Sequence, residues 1–206
     1  MLLHAYFLMG PPSSVFRVAS YFTTFCYEIG GDLLSLAELE HSILRAESSP
    51  PRQFVSKLII PPSEYPFALR KPEPRVSFAL NCGSVGTVPC VAVYSPATLE
   101  PQLEDMSRYY LNTTTEVQAS KRTVVLPKML NWYSDDFPDP SGGSGSSMGC
   151  LLRVKDYLVG EKRRQVENLL SEGGSINVRF GTWSWKCGPV TLVNEAELMQ
   201  LRDSRI

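Results

Sequence analysis

The sequence predicts an α+β fold, a single domain with helices packed on a small mixed sheet. Three observations carry that reading. Helical and extended segments are interspersed without the strict strand–helix alternation that builds a doubly wound parallel sheet. No segment repeats at a fixed period. Apolar residues make up 43% of the 206 positions and charged residues 20%, enough apolar material for one real core.

The elements follow in chain order. Residues 1–9 and 14–28 read as apolar helices separated by Gly10-Pro11-Pro12-Ser13-Ser14, with a serine before Val15 as N-cap. Gly30-Gly31-Asp32 forms a turn. Ser35-Leu36-Ala37-Glu38 is a capping box, in which Ser35 and Glu38 satisfy each other's free backbone donors, and it opens a helix running to about Ala46. At about 100° per residue, Leu36, Leu39 and Ile43 share one face, Glu40 falls on its edge and His41 on the flank. Residues 48–75 are rich in proline and predict a long ordered loop with short extended pieces such as Val55 to Ile60.

Pro74-Arg75 leads into an expected strand over 76–81, and a second strand is expected over 91–94. Ser95-Pro96 starts a helix of about 97–112 that turns Leu99, Leu103, Met106, Tyr110 and Leu111 inward. A β-hairpin is expected over 116–119 and 122–126, and a short helix over 128–133. The Gly/Ser run at 141–148 reads as a flexible insert. Helices over 150–158 and 161–170 break at Gly160, and 176–180 and 183–185 are extended. Asn194 caps a short helix, so the chain divides into a domain over 1–193 and a C-terminal tail over 194–206.

Charge and cysteine usage exclude several classes. A net charge of −1 gives no general attraction to nucleic acid or to an anionic membrane. Five scattered cysteines, Cys26, Cys82, Cys90, Cys150 and Cys187, argue against a secreted disulfide framework and for a reducing, cytoplasmic setting. The start, MLLHAYFLMGPP, lacks a basic region and a small-residue cleavage site and is too short to span a bilayer. Met1-Leu2-Leu3 already lies inside an apolar helical pattern with no capping residue, which predicts missing upstream residues. Asn112-Thr113-Thr114 matches a glycosylation acceptor, which carries no meaning in a cytosolic protein.

The chemistry-bearing residues are few. Gly83-Ser84-Val85-Gly86 follows an expected strand, but no Gly-Lys-Ser/Thr follows and the next residues are extended, so no phosphate site is expected. Two histidines and no C-x-x-C pair predict neither a metal nor a cofactor. Cys82 ends the apolar run 76–81 at a glycine-bearing loop. That placement suits a nucleophile partnered by His41 or Arg75, and it equally suits a packed core side chain, the commoner state of a free cysteine. Glu40 with Arg45 or Arg75 reads as a buried ion pair in preference to an acid–base pair. Asp135-Asp136 and the run Glu161–Gln165 read as solvated charges. Trp183 and Trp185 share an expected strand face, with each indole N–H on a backbone acceptor.

An ordered series of motifs resembles a known family. It comprises Gly30-Gly31, Ser35-Leu36, Glu40-His41-x-Ile43-Leu44-Arg45, Pro74-Arg75-Val76-x-Phe78-Ala79-Leu80-Asn81-Cys82-Gly83, Val93-Tyr94, and Leu126-Pro127-Lys128-x-Leu130-x-Trp132-Tyr133-x-Asp135-Asp136-Phe137. Over about residues 1–185 the chain resembles the domain of unknown function 547 family. The resemblance implies an intracellular domain carried behind a glutaredoxin, DEP or leucine-zipper region, with no firmly attached activity. Its recurrent positions fall here on Glu40, His41, Arg45, Arg75, Asn81, Cys82, Gly83, Trp132, Tyr133 and Asp136. This chain departs from the pattern at Ser77, where family members often have histidine, and at Gly86-Thr87-Val88-Pro89-Cys90, where they have Ser-Cys-Pro-Pro. The family's aromatic-Ile-Asn-x-Tyr-Asn helix, expected just before Met1, is missing, which supports truncation and predicts an exposed apolar face.

Two functions remain in view. The first is a cytoplasmic, non-catalytic interaction or regulatory module whose partner is a protein or an upstream domain of the same chain. The second is a cysteine-dependent enzyme or thiol-redox auxiliary. Cys82 is then the nucleophile, His41 the base, Arg75 the cation and Asn81 a polarising donor, while Glu40, Arg45, Gly83, Trp132, Tyr133 and Asp136 line the site.

Overall fold

The fold comes from a computed structural model, which describes residues 2–10, 13–14, 19–52, 65–140 and 145–203. Thr-Val-Val-Leu at β5 (Thr123–Leu126) is buried along its whole length. A strand covered on both faces must pair on both edges and be apolar throughout. It pairs antiparallel with β4 (Glu116–Gln118) and parallel with β6 (Asn177–Phe180), making a mixed three-stranded sheet. Against it packs the core of Phe78, Met106, Tyr110, Leu126, Leu130, Leu151, Val154 and Leu158. The architecture is α+β.

The remaining elements surround this centre. In chain order they begin with α1 (Leu2–Met9), α2 (Ala19–Thr24), and the hairpin β1 (Cys26–Ile29) and β2 (Asp32–Ser35). Next come α3 (Leu36–Glu38), α4 (Val76–Ala79), β3 (Cys90–Ala92) and α5 (Leu99–Thr114). After β5 come α6 (Lys128–Trp132), α7 (Ser147–Val154) and α8 (Gly160–Ser171). After β6 come β7 (Thr191–Val193), which pairs parallel with β3, and α9 (Glu195–Asp203). None of the described helices is long and apolar enough to cross a membrane.

Three expectations change. The helix expected over 14–28 is cut short, and Cys26–Ile29 is a strand. Gly30 at φ +65° and Gly31 at φ +95° supply the two left-handed positions of a tight hairpin turn, which only glycine fills without strain. The strand expected over 76–81 is α4 followed by an extended Leu80. A short apolar run fits either state. Here the Glu73 carboxylate accepts the Arg75 N–H at 3.1 Å, opening a turn that buries Val76, Ser77 and Phe78. The helix expected from Leu36 to Ala46 starts as predicted, with both capping-box bonds present, but Leu39–Leu44 is wound as a π-helical turn. The extra residue per turn rotates the buried face onto Ala37, Ser42, Ile43 and Arg45.

Elsewhere the pattern holds with shifted edges. Helix α5 buries Leu103, Met106, Tyr109, Tyr110 and Leu111, while Leu99 is exposed, because the helix begins at that residue and not at 97. Asn112, of the glycosylation match, is a bridge instead. Its Nδ2 donates to the Tyr157 carbonyl at 2.9 Å and its Oδ1 accepts from the Val159 N–H at 3.0 Å. Lys162 leaves the charged face of α8 and donates to the carbonyls of Asn112 and Thr115, satisfying the C-terminal end of α5. Arg122, left-handed at φ +45°, donates in the same way to the carbonyls of Leu169 in the last turn of α8 and of Gly173 and Ser175 beyond it. The expected extended piece at 55–60 and the first half of the Gly/Ser insert, residues 141–144, lie outside the described residues, while Ser146 caps α7 and its second half leads into that helix.

Helix α9 is capped by Asn194, whose Oδ1 accepts from Glu197 N–H at 3.0 Å while Glu197 Oε2 accepts from Asn194 N–H at 2.8 Å. It lies on α5, and Leu198 joins the central core. Leu198→Ala is therefore expected to cost about 2–5 kcal/mol in urea denaturation, the usual range for a fully buried leucine. Met199→Ala, one residue on and exposed, is expected to leave the midpoint within about 0.5 kcal/mol of wild type.

Candidate functional site

The π-helical turn delivers three of the sequence candidates to one place. Glu40 and His41 lie within it, and Arg45 follows it. Arg45 is buried to its guanidinium, and a buried cation needs a counter-charge and filled donors. Nη2 donates to Asp136 Oδ2 at 2.5 Å, with both side chains 2% exposed. Nη1 donates to Ser77 Oγ at 2.6 Å. The guanidinium carbon lies 3.9 Å from the centroid of the Tyr133 ring, a cation–π stack that covers its face. Asp136 is thus neither solvated nor in a free loop. The 3₁₀ turn Ser134–Asp136 folds back so that its second acid meets Arg45, while Asp135 pairs with Arg52 at the surface.

Tyr133 joins this ion pair to the turn above it. Its Oη donates to Glu40 Oε1 at 2.8 Å. The ring's burial and the Glu40 carboxylate both hold the phenol far above its ordinary pKa, so it stays a donor. His41 Nε2 lies 3.9 Å from the same Glu40 oxygen. Burial pushes the His41 pKa below 6.5; Glu40 opposes that shift and Arg45 adds to it. The imidazole is neutral at pH 7.

Cys82 lies at the edge of this group. Its Sγ donates to Ser84 Oγ at 3.3 Å. Burial raises its pKa above 9.0, with the Glu40 carboxylate adding to the rise and the Ser84 hydrogen bonds opposing it. A thiolate nucleophile needs the opposite environment, a nearby cation or helix N-terminus.

Arg75 and Asn81 are committed elsewhere. Arg75 donates to Glu73 at 2.6 Å and to Glu100 at 2.8 Å, so it belongs to an ion cluster at the start of α5. Asn81 pins the glycine loop: Nδ2 donates to the carbonyls of Val88 and Cys90, and Oδ1 accepts from Gly83 N–H and Thr87 Oγ1. Gly83 turns at φ +70°. The loop is held on its other side by Val85 N–H to Lys186 O at 2.8 Å and Gly188 N–H to Gly83 O at 3.0 Å. Trp132 stacks on Trp185 at 5.5 Å and meets Trp183 at 4.7 Å. The strand expected over 183–185 is absent, and the Trp183 indole N–H is buried with no partner among the described residues. Packing of the Trp183 ring over Gly86, where a Cβ would fall 2.5 Å away, holds the indole in place.

Ser77, Ser84 and Tyr110 were named in the sequence but not as site residues. Only the side chains that the serines meet bring them into the site. Tyr110 sits on the expected core face, and its Oη, buried near Cys82, has no partner among the described residues. Among the described residues no group of three or more His, Cys, Asp or Glu is placed to hold a metal ion.

The Arg45–Asp136 pair makes a stability prediction. Asp136→Ala leaves a buried cation uncompensated and is expected to cost about 3–5 kcal/mol in urea denaturation. Replacing both partners, Arg45→Met with Asp136→Leu, is expected to recover most of that loss, because no charge is then stranded in the interior.

The family described as "Protein of unknown function, DUF547" matches residues 1–111. No curated protein and no solved structure matches the chain significantly. The matched stretch takes in Glu40, His41, Arg45, Arg75, Asn81, Cys82 and Gly83, while Trp132, Tyr133 and Asp136 lie beyond it. With more than half its length matched, the capping box, the π-helical turn and the Cys82 loop included, the chain belongs to the DUF547 family.

Proposed function

We propose that the protein is a non-catalytic interaction or regulatory module of the cytoplasm, acting on a protein partner or on another domain of its own chain. One observation carries this reading: the polar cluster is closed on itself around a thiol that its surroundings keep protonated. Glu40 is held by Tyr133, Arg45 by Asp136 and Ser77, and Asn81 by its own loop. Each serves the fold, and none is left aimed at a reacting group. Contact with a partner finds its material at the other end of the chain. Phe7, Leu8 and Met9 of α1 are 61–86% exposed, and Leu33 on the hairpin is 69% exposed. His4 Nδ1 and the Tyr27 hydroxyl share a 2.6 Å hydrogen bond that ties α1 to that hairpin, and exposed apolar side chains of this size are material for a partner.

The alkylation rate of Cys82 against pH, followed by peptide mass spectrometry, tests the reading. In the folded protein the rate is expected to rise only above about pH 9, and to reach that of a free thiol, whose pKa is about 8.5, only on unfolding. Fast labelling near neutral pH, lost in His41→Ala, would instead make Cys82 the nucleophile of a thiol enzyme. The raised thiol pKa has a linked consequence for stability. A thiol with its folded pKa above its unfolded one keeps its proton longer in the folded state, so its share of stability is complete at pH 7 and declines as pH rises past about 8.5. Cys82→Ser is expected to flatten that alkaline decline in urea melts.

A further inference from the structure

We propose that His41 is the trigger of an acid-released latch, in which protonation of its ring draws Glu40 away from the Tyr133 hydroxyl and frees that hydroxyl from the π-helical turn, while Asp136 stays on Arg45. The geometry places one carboxylate between two neighbours. Glu40 Oε1 takes the Tyr133 Oη–H at 2.8 Å and lies 3.9 Å from His41 Nε2. A neutral imidazole at that distance exerts no net charge, so the carboxylate rests on the tyrosine. An imidazolium pulls the carboxylate as a whole toward itself with a full charge in a partly buried place, where attraction is stronger than in water, and the move lengthens the tyrosine bond.

The groups facing His41 can be named. On its own turn Glu40 attracts it, and Arg45, at the turn's end, repels it. Arg45 is anchored to Asp136 and Ser77, so the repulsion is relieved by movement of the turn and not of the guanidinium. Across the interface stand Tyr133 on Glu40 and Cys82, a neutral thiol that Glu40 also influences. The π-helical winding marks the element that shifts in the proposed latch. It carries about one residue more per turn than an α-helix, and such turns recur at functional sites. The proton acts on the residue at its centre.

The direction follows from the histidine's environment. Burial lowers the His41 pKa below 6.5 in the closed form. A histidine with its folded pKa below its unfolded one contributes stability that is complete above about pH 6.5 and lost as pH falls through the folded value. The latch is closed at neutral pH and opens in acid. It differs from simple acid unfolding because the pieces that it joins have separate anchors. The Arg45–Asp136 pair is held by its own buried hydrogen bond and Leu130 is fully buried in the core, so opening is local.

The protein carries its own reporter. All three tryptophans, Trp132, Trp183 and Trp185, are gathered beside Tyr133, so intrinsic fluorescence reads this region alone. The experiment follows the His41 ring protons by NMR, tryptophan fluorescence and far-ultraviolet circular dichroism over pH 4.5–8, in wild type, Glu40→Gln and Tyr133→Phe. In wild type the fluorescence is expected to change with the midpoint of the His41 titration while the circular dichroism is unchanged. Linkage is reciprocal, so removing the tyrosine bond must ease His41 protonation. Tyr133→Phe is expected to raise the His41 midpoint by about one pH unit, given a bond to a charged acceptor. Glu40→Gln still offers an oxygen to Tyr133 but no charge to His41, so it is expected to keep the fold, lower the midpoint and abolish the fluorescence change. Three results would overturn the latch. They are fluorescence that stays flat while His41 titrates, a transition that persists unchanged in Glu40→Gln, and loss of circular dichroism at the same midpoint.

Discussion

The buried guanidinium of Arg45 is the constraint to which the site is built. A cation placed 2% exposed in the interior cannot be left without a counter-charge, and here Nη1 and Nη2 are filled while Nε has no partner among the described residues. Each demand recruits a different part of the chain. Asp136 comes from the turn after α6, Ser77 from α4, and the Tyr133 ring closes the face. Segments separated by more than ninety residues are thus fixed against one another by a single side chain. A pair of this kind adds little net stability over an apolar equivalent, but it is costly to half-remove, so it selects one arrangement of the three segments over its competitors.

That selection explains the π-helical turn. An ordinary α-helix from Leu36, at about 100° per residue, would put Leu36, Leu39 and Ile43 inward and Arg45 on the opposite side. Unwinding to the wider π-turn sends Arg45 inward with Ser42 and Ile43, and leaves Glu40 and His41 on the partly open side. The wide winding and the buried charge support each other. Tyr133 serves both, with its ring on the cation and its hydroxyl on Glu40. The polar groups of the cluster are thereby spent on one another, and Cys82 beside them has a raised and not a lowered pKa because burial disfavours its thiolate, with the Glu40 carboxylate adding to the rise.

Local signals were legible in the sequence, and long-range ones were not. The Ser35–Glu38 capping box, the hairpin at 116–126, the break at Gly160 and the Asn194 cap each depend on residues within a few positions, and each is present in the structure. The strand expected over 76–81 failed because four or five apolar residues carry no period that separates a strand from a buried helical turn. Placing Arg75 by a functional thiol rested on nearness in sequence, whereas Glu73 and Glu100 hold it away. Arg45, Tyr133 and Asp136 were named as site candidates, but their mutual contact is a tertiary fact. Asp135 and Asp136 look alike as text; only the turn of the chain sends one to solvent and the other to Arg45.

The same reasoning separates the two ends of the molecule. Around Arg45 the polar groups are closed in pairs, and removing a partner exposes a cost inside the protein. At α1 and the β1–β2 hairpin the reverse holds: large apolar side chains face water, and a cost is already present that a partner would relieve. Hydrophobic contact is indifferent to detailed chemistry and strong per unit area. A domain that binds through such a region needs no reactive residue, only a rigid surface, and rigidity is what the buried ion pair and the pinned Cys82 loop provide. Glu40 and His41 sit between these regimes, partly buried and partly wet. A group in that position can answer to pH without exposing the core, because the charges that hold the fold lie one layer beneath it.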